Sequence, residues 1–249
     1  MPTVCLEKKG SIAELKFNRP EVLNAENWAM ARDFHAALDA LERDREIRAV
    51  ILSGQGSSFS SGIDLKSLAT GEIQLDWFRY FDEAMRRVEL LDALTIAKIR
   101  GYAIGGGLQV ALACDLRIAT PDARLGLPAV LEALIPGMGT YRLARFIGLG
   151  RARRLALTGE LVPSDEAARI GLVDWVVPED KLDETIASVL ANTLQGSAVA
   201  RGLTKKLIAA SFETDYEQAF ATYLAYQQLA LESDDHKQAM ADYRARKGR

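Results

Sequence analysis

The sequence predicts an α/β fold that gives way to an all-helical tail. Three observations carry this reading. Short apolar runs of strand character alternate with helical periodicity over the first two-thirds of the chain. No strand signal follows Val177, and the pattern is helical from Asp180 onward. Between one strand-like run and one helix-like run lies a glycine loop, Gly101-Tyr-Ala-Ile-Gly-Gly-Gly-Leu-Gln109.

The elements follow in order. Val4 and Leu6 pair with Ile12, Leu15 and Phe17 across a turn at Lys9-Gly10-Ser11, which reads as a hairpin. Asn24 can cap a helix running to about Asp44, with Met30, Phe34, Leu38 and Leu41 on one apolar stripe. Ala49 to Leu52 is continuously apolar, the mark of a buried strand. A Gly/Ser loop follows to Gly62, then a helical stretch from Leu75 to Leu91. Leu94 to Ile99 is a strand, and Leu108 to Cys114 a helix after the glycine loop. Leu116 to Ala119 and Arg124 to Leu127 are short strands. Pro136-Gly137-Met-Gly139 breaks the chain before a helix through Leu143, Phe146 and Ile147. Ser164 caps a short helix that stops at Gly171, and Val173 to Val177 is a strand ended by Pro178. The tail carries Phe212, Tyr216, Phe220, Tyr223, Leu224, Tyr226 and Leu231 at mostly helical spacings, which reads as a subunit interface more than as internal core.

Composition bounds the function. A chain of 249 residues, 49% hydrophobic and 26% charged, is of ordinary globular type and not a disordered one. The formal net charge of −3 argues against a nucleic-acid partner, which usually requires a basic face. Cys5 and Cys114 sit in apolar contexts and read as small buried hydrophobes in a reducing compartment. No Cys/His spacing predicts a metal site. The N-terminal segment lacks a basic region followed by an apolar one, and no apolar run approaches membrane-spanning length, so the expectation is a cytoplasmic protein without membrane insertion.

Three consecutive glycines at a strand-to-helix joint cost chain entropy. Two readings fit them: tight strand–helix packing, or a close backbone approach to a ligand. The N–H groups that open a helix have no intrahelical partner and carry partial positive charge, so they can hold a developing oxyanion. No Gly-Lys-Ser/Thr follows the glycines, which disfavours an NTPase phosphate loop. His35 and His236 have no neighbouring Ser or Cys that suggests a triad, and His35 is expected to face solvent.

A set of ordered segments goes further. These are Phe17-Asn-Arg-Pro20, Leu23-Asn-Ala25, Phe59-Ser-Ser-Gly-Ile-Asp-Leu65, Gly101 to Gly107, Ala113-Cys-Asp115, Ile135-Pro-Gly137, Thr158-Gly159, Gly171-Leu-Val173 and the closing Asp234 to Met240. Each is weak alone, and the specificity lies in their order and separations. In these the chain resembles the crotonase superfamily, the enoyl-CoA hydratase/isomerase family, over nearly its full length.

The resemblance implies a spiral of β-β-α turns at residues 1–190 and an all-helical trimerisation region at 191–249. It implies homotrimers, often paired into hexamers, and a place in fatty acid metabolism. The ligand it implies is an acyl-CoA thioester; coenzyme A belongs to the substrate, with no separate cofactor and no metal. It places the two backbone N–H donors of an oxyanion hole at Ile63 and Gly106. Further substrate or CoA contacts fall at Asn24, Ala25, Ser61, Gly62, Asp64, Leu65, Lys66 and Gly105. Asp64 also suits a cap on the following turn.

The family's hydratases place two glutamates around the substrate's α,β carbons. The matching positions here are Gln109 and Ala129. Some relatives carry a functional Asp or Tyr near the Pro-Gly break, where Gly137 stands. Neither Gln nor Ala shuttles a proton at neutral pH. Glu132, three residues after Ala129, is a candidate substitute acid/base if that stretch is helical. Asp76, Tyr80 and Asp82 lie in a stretch that lines acyl pockets in relatives. The expectation is an enzyme that stabilises a thioester enolate: an isomerase, a lyase acting on C–C or C–X bonds, or a slow hydratase. The alternative is a non-catalytic acyl-CoA binder that kept the pocket and lost the chemistry. A nucleotide-binding α/β domain is a third reading, weakened because no ribose-binding acid is identifiable.

Overall fold

The computed structural model describes residues 1–247. Contacts divide the chain into two compact units, Met1–Ala187 and Ser188–Arg249. The first unit is α/β. Strands β1 (Val4–Lys9) and β2 (Ile12–Phe17) form the expected antiparallel hairpin. Helix α1 (Trp28–Glu42) then leads to β3 (Ala49–Gly54), which is buried along its whole length. Helices α2 (Leu65–Ala69) and α3 (Leu75–Leu90) precede β4 (Leu94–Ile99), β5 (Tyr102–Ile104) and α4 (Gly106–Ala113). Next come β6 (Leu116–Ala119), β7 (Arg124–Gly126), α5 (Gly139–Ile147) and α6 (Leu149–Thr158). The unit continues through β8 (Val162–Pro163), α7 (Ser164–Arg169) and β9 (Trp175–Val176) into α8 (Leu182–Leu194), within which the division falls.

Among the described residues the strands form two sheets. One has six strands in the order β1-β2-β3-β4-β6-β9, and the other has three in the order β5-β7-β8. Consecutive strands part company: β4 and β6 pair in parallel in the large sheet, while β5 and β7 pair in parallel in the small one. From β4 onward each turn of chain therefore adds one strand to each sheet, which is the β-β-α spiral the resemblance implies. The second unit contains α9 (Ala198–Ala210), α10 (Tyr216–Glu232) and α11 (Asp234–Lys247). Phe212, Tyr216, Phe220, Tyr223, Leu224 and Leu231 are all exposed in it. No helix among the described residues is long and apolar enough to cross a membrane.

The core fixes the loop that matters. Phe17, Phe34 and Phe59 are fully buried. Phe17 meets Phe34 and Phe59 edge-on, at ring-centroid distances of 5.5 and 5.7 Å. This arrangement suits the quadrupoles of the rings. Phe59 thereby anchors the start of the segment that ends at Leu65.

Three local expectations need correction. The cap of α1 is Asn27, whose side chain accepts from the Met30 N–H, not Asn24. Asn24 instead sits at φ 57° with its amide committed elsewhere. Ser164 is the first residue of α7 and makes no cap; its hydroxyl donates to the Pro121 carbonyl at 2.9 Å. His35 does not face solvent freely. Its ring stacks on Tyr80 at 3.8 Å, Nε2–H donates to the Tyr80 carbonyl, and Nδ1 accepts from Arg87. A carbonyl only accepts and a guanidinium only donates, so these partners define the neutral tautomer.

Candidate active site

Two backbone segments meet beneath a cavity of about 260 Å³. The first, Phe59 to Asp64, is stitched on both sides. Ser60 pairs with Ala103 of β5, and Ile63 pairs with Glu26, each as an isolated parallel bridge. The Glu26 N–H donates to the Gly62 carbonyl and the Asp64 N–H to the Glu26 carbonyl, both at 2.8 Å. The second segment is the joint between β5 and α4. Gly62 (φ 83°) and Gly105 (φ 57°) both lie in the left-handed region, where glycine has no steric penalty. A Cβ added to Gly62 would come 2.6 Å from the Ile104 carbonyl oxygen and 3.1 Å from the Gly106 nitrogen. Only glycine lets the two segments touch.

Ile63 and Gly106 each follow one of these glycines, and both line the cavity. Gly106 opens α4, where helical geometry supplies no acceptor for its N–H. The Ile63 N–H likewise donates to no backbone group among the described residues. Two unspent backbone donors thus border one cavity at the positive end of an eight-residue helix.

The remaining sequence-nominated residues separate into two groups. Ser61, Leu65, Gly105, Gln109, Ala129 and Glu132 line the cavity. Pro128–Glu132 is a 3-10 turn, so Ala129 and Glu132, three apart, eclipse one another on the same face. Glu132 is exposed, at the rim. Asn24, Ala25, Gly62, Asp64 and Lys66 are not in the lining. The Asn24 amide donates to the Gln55 and Ser58 carbonyls and accepts from the Arg19 N–H, which shapes the loop. The Ala25 carbonyl accepts from Arg19. Asp64 caps α2 through the N–H groups of Lys66 and Ser67 and pairs with Arg19 at 2.9 Å. Burial pushes its pKa up, but these hydrogen bonds and Arg19 together outweigh burial and hold it low. Lys66 is exposed.

Gln109 is buried, and its Oε1 accepts from the Gly139 N–H at 2.8 Å. Gly137 (φ 46°) lies against it: an added Cβ would meet Gln109 Oε1 at 3.1 Å and Asp82 Oδ2 at 3.6 Å. Asp82 comes from α3 and lines the same cavity. Burial raises its pKa, and Arg142, whose guanidinium lies 3.4 Å away, only partly offsets this. Trp77, Phe81 and Met85 of α3 supply an apolar wall.

One ionisable lining residue was not foreseen. Glu26 is fully buried. Its Oε1 lies 3.0 Å from the Ser60 hydroxyl, and its Oε2 has no partner among the described residues. Ser60 has one proton, and the Asn24 carbonyl, which can only accept, is also 3.0 Å from it. The Gly62 N–H donates to the same hydroxyl. The hydroxyl's single proton is therefore shared between two acceptors, the Asn24 carbonyl and Glu26 Oε1. Burial pushes the Glu26 pKa up to about 8, against the Ser60 hydrogen bond, which lowers it. The sequence signal for it was slight and depended on placing the cap correctly. With Asn27 as the cap, Glu26 occupies the position just before it, which is commonly hydrophobic.

Comparison with known proteins places the chain in a family. A family model described as Enoyl-CoA hydratase/isomerase matches residues 7–248. The chain belongs to the enoyl-CoA hydratase/isomerase family. It is 36% identical to a short-chain-enoyl-CoA hydratase of Clostridium acetobutylicum, over 96% of this chain and 94% of that protein. It is 31% identical to a crotonyl-CoA hydratase of Syntrophomonas wolfei, over 96% and 94% of the two chains. The crystal structure of an enoyl-CoA hydratase from Bacillus anthracis superposes with a TM-score of 0.92 at 29% identity, covering 98% of this chain and 96% of that one.

Proposed function

We propose that the chain is an acyl-CoA thioester enzyme that stabilises an enolate. The N–H groups of Ile63 and Gly106 hold the thioester oxygen, and the acyl chain occupies the cavity walled by Trp77, Phe81 and Met85. The observation that carries the reading is the pair of unspent backbone donors, each behind a left-handed glycine, on one cavity. Such donors strengthen their hold as negative charge develops on the oxygen, and one can contribute ~3–4 kcal/mol to barrier lowering. The names of the hydratase relatives support a thioester substrate.

The reaction class follows from what the cavity contains. With Gln109 and Ala129 in place of two carboxylates, two-glutamate addition of water lacks its proton carriers. Proton movement next to the thioester, as in double-bond isomerisation, C–C or C–X chemistry or slow hydration, needs only the oxyanion donors and one titratable group. The vacancies at Gln109, Ala129 and Gly137 favour a second reading, a non-catalytic acyl-CoA binder. Preorganised donors favour the enzyme, because a binder gains little from donors suited to an oxyanion.

The working form is a homotrimer or hexamer built through the helical region, which the exposed apolar side chains from Phe212 to Leu231 support. The site is a cytoplasmic one; the buried Cys114 and half-buried Cys5, both thiols, suit a reducing compartment.

Infrared spectroscopy of carbonyl-labelled butyryl-CoA tests the central claim. Bound to this protein, the thioester carbonyl band shifts to lower frequency, as two hydrogen bonds polarise it. Binding without a shift refutes the oxyanion hole.

A further inference from the structure

We propose that Glu26 is a catalytic residue that moves a proton at the α-carbon of the bound thioester, with Oε2 as the reacting atom. The proposal rests on the enolate reading above and adds the group that makes and quenches the enolate.

Four observations converge on Glu26. It borders the cavity, yet it is sealed from bulk water. Its Oε2 has no hydrogen-bond partner among the described residues. A buried unpartnered carboxyl oxygen is costly, so it is usually found where a ligand or reacting group completes it. Third, Oε2 lies against Gly106. A Cβ added to Gly106 would come within 1.8 Å of it. Bond geometry puts a Cβ about 2.5 Å from its own nitrogen, so Oε2 is no more than about 4.3 Å from the Gly106 N. A thioester oxygen held by that N–H has its α-carbon two bonds away, in the cavity that Glu26 also lines. Fourth, Oε1 is pinned by Ser60, which leaves Oε2 as the oxygen free to react.

The step balances without a co-reactant. The Glu26 carboxylate takes a proton from the α-carbon. The C–H bond breaks, an O–H bond forms on Oε2, and the electron pair moves through the carbonyl to the oxygen held by Ile63 and Gly106. The protonated carboxyl returns the proton to the same carbon, or to the γ-carbon of an unsaturated chain, and the enolate collapses. A pKa near 8 suits a group that must both take and give a proton at neutral pH.

The other ionisable groups in the lining are Asp82 and Glu132. Asp82 Oδ1 faces Arg142, and Glu132 is exposed at the rim. Ser60 is the polar side chain in contact with the carboxyl. Among the described residues the lining includes no lysine, arginine or histidine.

The test is α-hydrogen exchange of butyryl-CoA in D2O, followed by mass spectrometry, with affinity measured separately by calorimetry. The wild-type chain exchanges. Glu26→Gln, nearly isosteric, binds butyryl-CoA with unchanged affinity and exchanges at least about 100-fold more slowly. Exchange in Glu26→Gln at the wild-type rate overturns the proposal and leaves the enolate reading standing. Loss of exchange in Asp82→Asn with Glu26→Gln intact overturns it in favour of Asp82. A wild-type chain that binds butyryl-CoA but never exchanges overturns both readings. Circular dichroism accompanies each variant. Should Glu26→Gln fail to fold, the wild-type pH profile decides. A rate that climbs with pH and levels off near 8 supports Glu26, and a rate flat from acid to alkaline pH overturns it.

Discussion

Glu26→Gln should remove a large pH dependence from the stability of the fold. In the native chain burial raises the Glu26 pKa from its ordinary 4.5 to about 8. In the unfolded chain the carboxyl is solvated and titrates near its ordinary value. The sign follows from proton counts. Below pH 4.5 both states hold the proton, and Glu26 contributes no pH dependence. Between 4.5 and 8 the unfolded state has lost the proton and the native state keeps it, so stability falls as pH rises. Above 8 both are ionised and the slope vanishes. At about 1.4 kcal/mol per tenfold change in proton affinity, the whole window amounts to a loss on the order of 5 kcal/mol. The glutamine carries no charge and keeps an acceptor for the Ser60 hydroxyl. Urea unfolding of both chains at pH 5, 6.5 and 8, at one protein concentration, isolates the contribution, because the other titrating groups cancel in the difference. The variant should match the wild type near pH 5 and exceed it by several kcal/mol at pH 8. A difference that stays constant across the three pH values refutes the reasoning, since Glu26 then titrates alike in both states.

Gly106→Ala places a methyl 1.8 Å from Glu26 Oε2 and should lower stability by about 1–3 kcal/mol, with partial recovery in the Gly106→Ala, Glu26→Ala double variant; thermal melts read both. Light scattering should find trimers or hexamers at micromolar concentration, and a monomer there sinks the interface reading of the tail. Calorimetry should detect binding of acyl-CoA thioesters and none of NAD or a DNA duplex; heat from NAD alone overturns the ligand class. Hydration of crotonyl-CoA should be slow in the wild type and faster in Gln109→Glu, Ala129→Glu than the product of the single effects, because paired carboxylates act as a unit. A stable double variant without gain means that the cavity has diverged beyond these two positions.

The fold was legible where periodicity and burial agree. The strand Leu94–Ile99 and the strand Leu116–Ala119 fall where the apolar runs place them. These strands lie inside the six-stranded sheet, and their sequences are mainly apolar, broken only by Thr95, Lys98 and Arg117. The caps were less legible. Asn24 and Asn27 are both good capping residues, three apart, and local chemistry does not choose between them. The choice comes from tertiary partners: the Gln55 and Ser58 carbonyls take the Asn24 amide, which leaves Asn27 to the helix. His35 was misread for the same reason. Its partners, Tyr80 and Arg87, are on another helix.

The cavity was half legible, and the division has a physical cause. Backbone function leaves a local trace, because close approach requires glycine; Gly62 and Gly105 could be read as such from the chain alone. Side-chain function leaves no such trace when it depends on residues far apart. Nothing in the neighbourhood of residue 26 announces a contact with residue 106. The contact nonetheless explains both. A fully buried carboxyl with an open oxygen is destabilising unless that oxygen serves a purpose, and any side chain at 106 would collide with it. Gly106 therefore meets two demands: a free N–H on the cavity, and room for Glu26 beside it. Meanwhile Gln109 has its carbonyl oxygen tied to Gly139, and Ala129 offers only a methyl. Proton chemistry absent from those two positions has a single fully buried, unpaired carboxyl oxygen to fall to among the described residues of the lining. It belongs to Glu26, on the same segment whose backbone holds Ile63 in place.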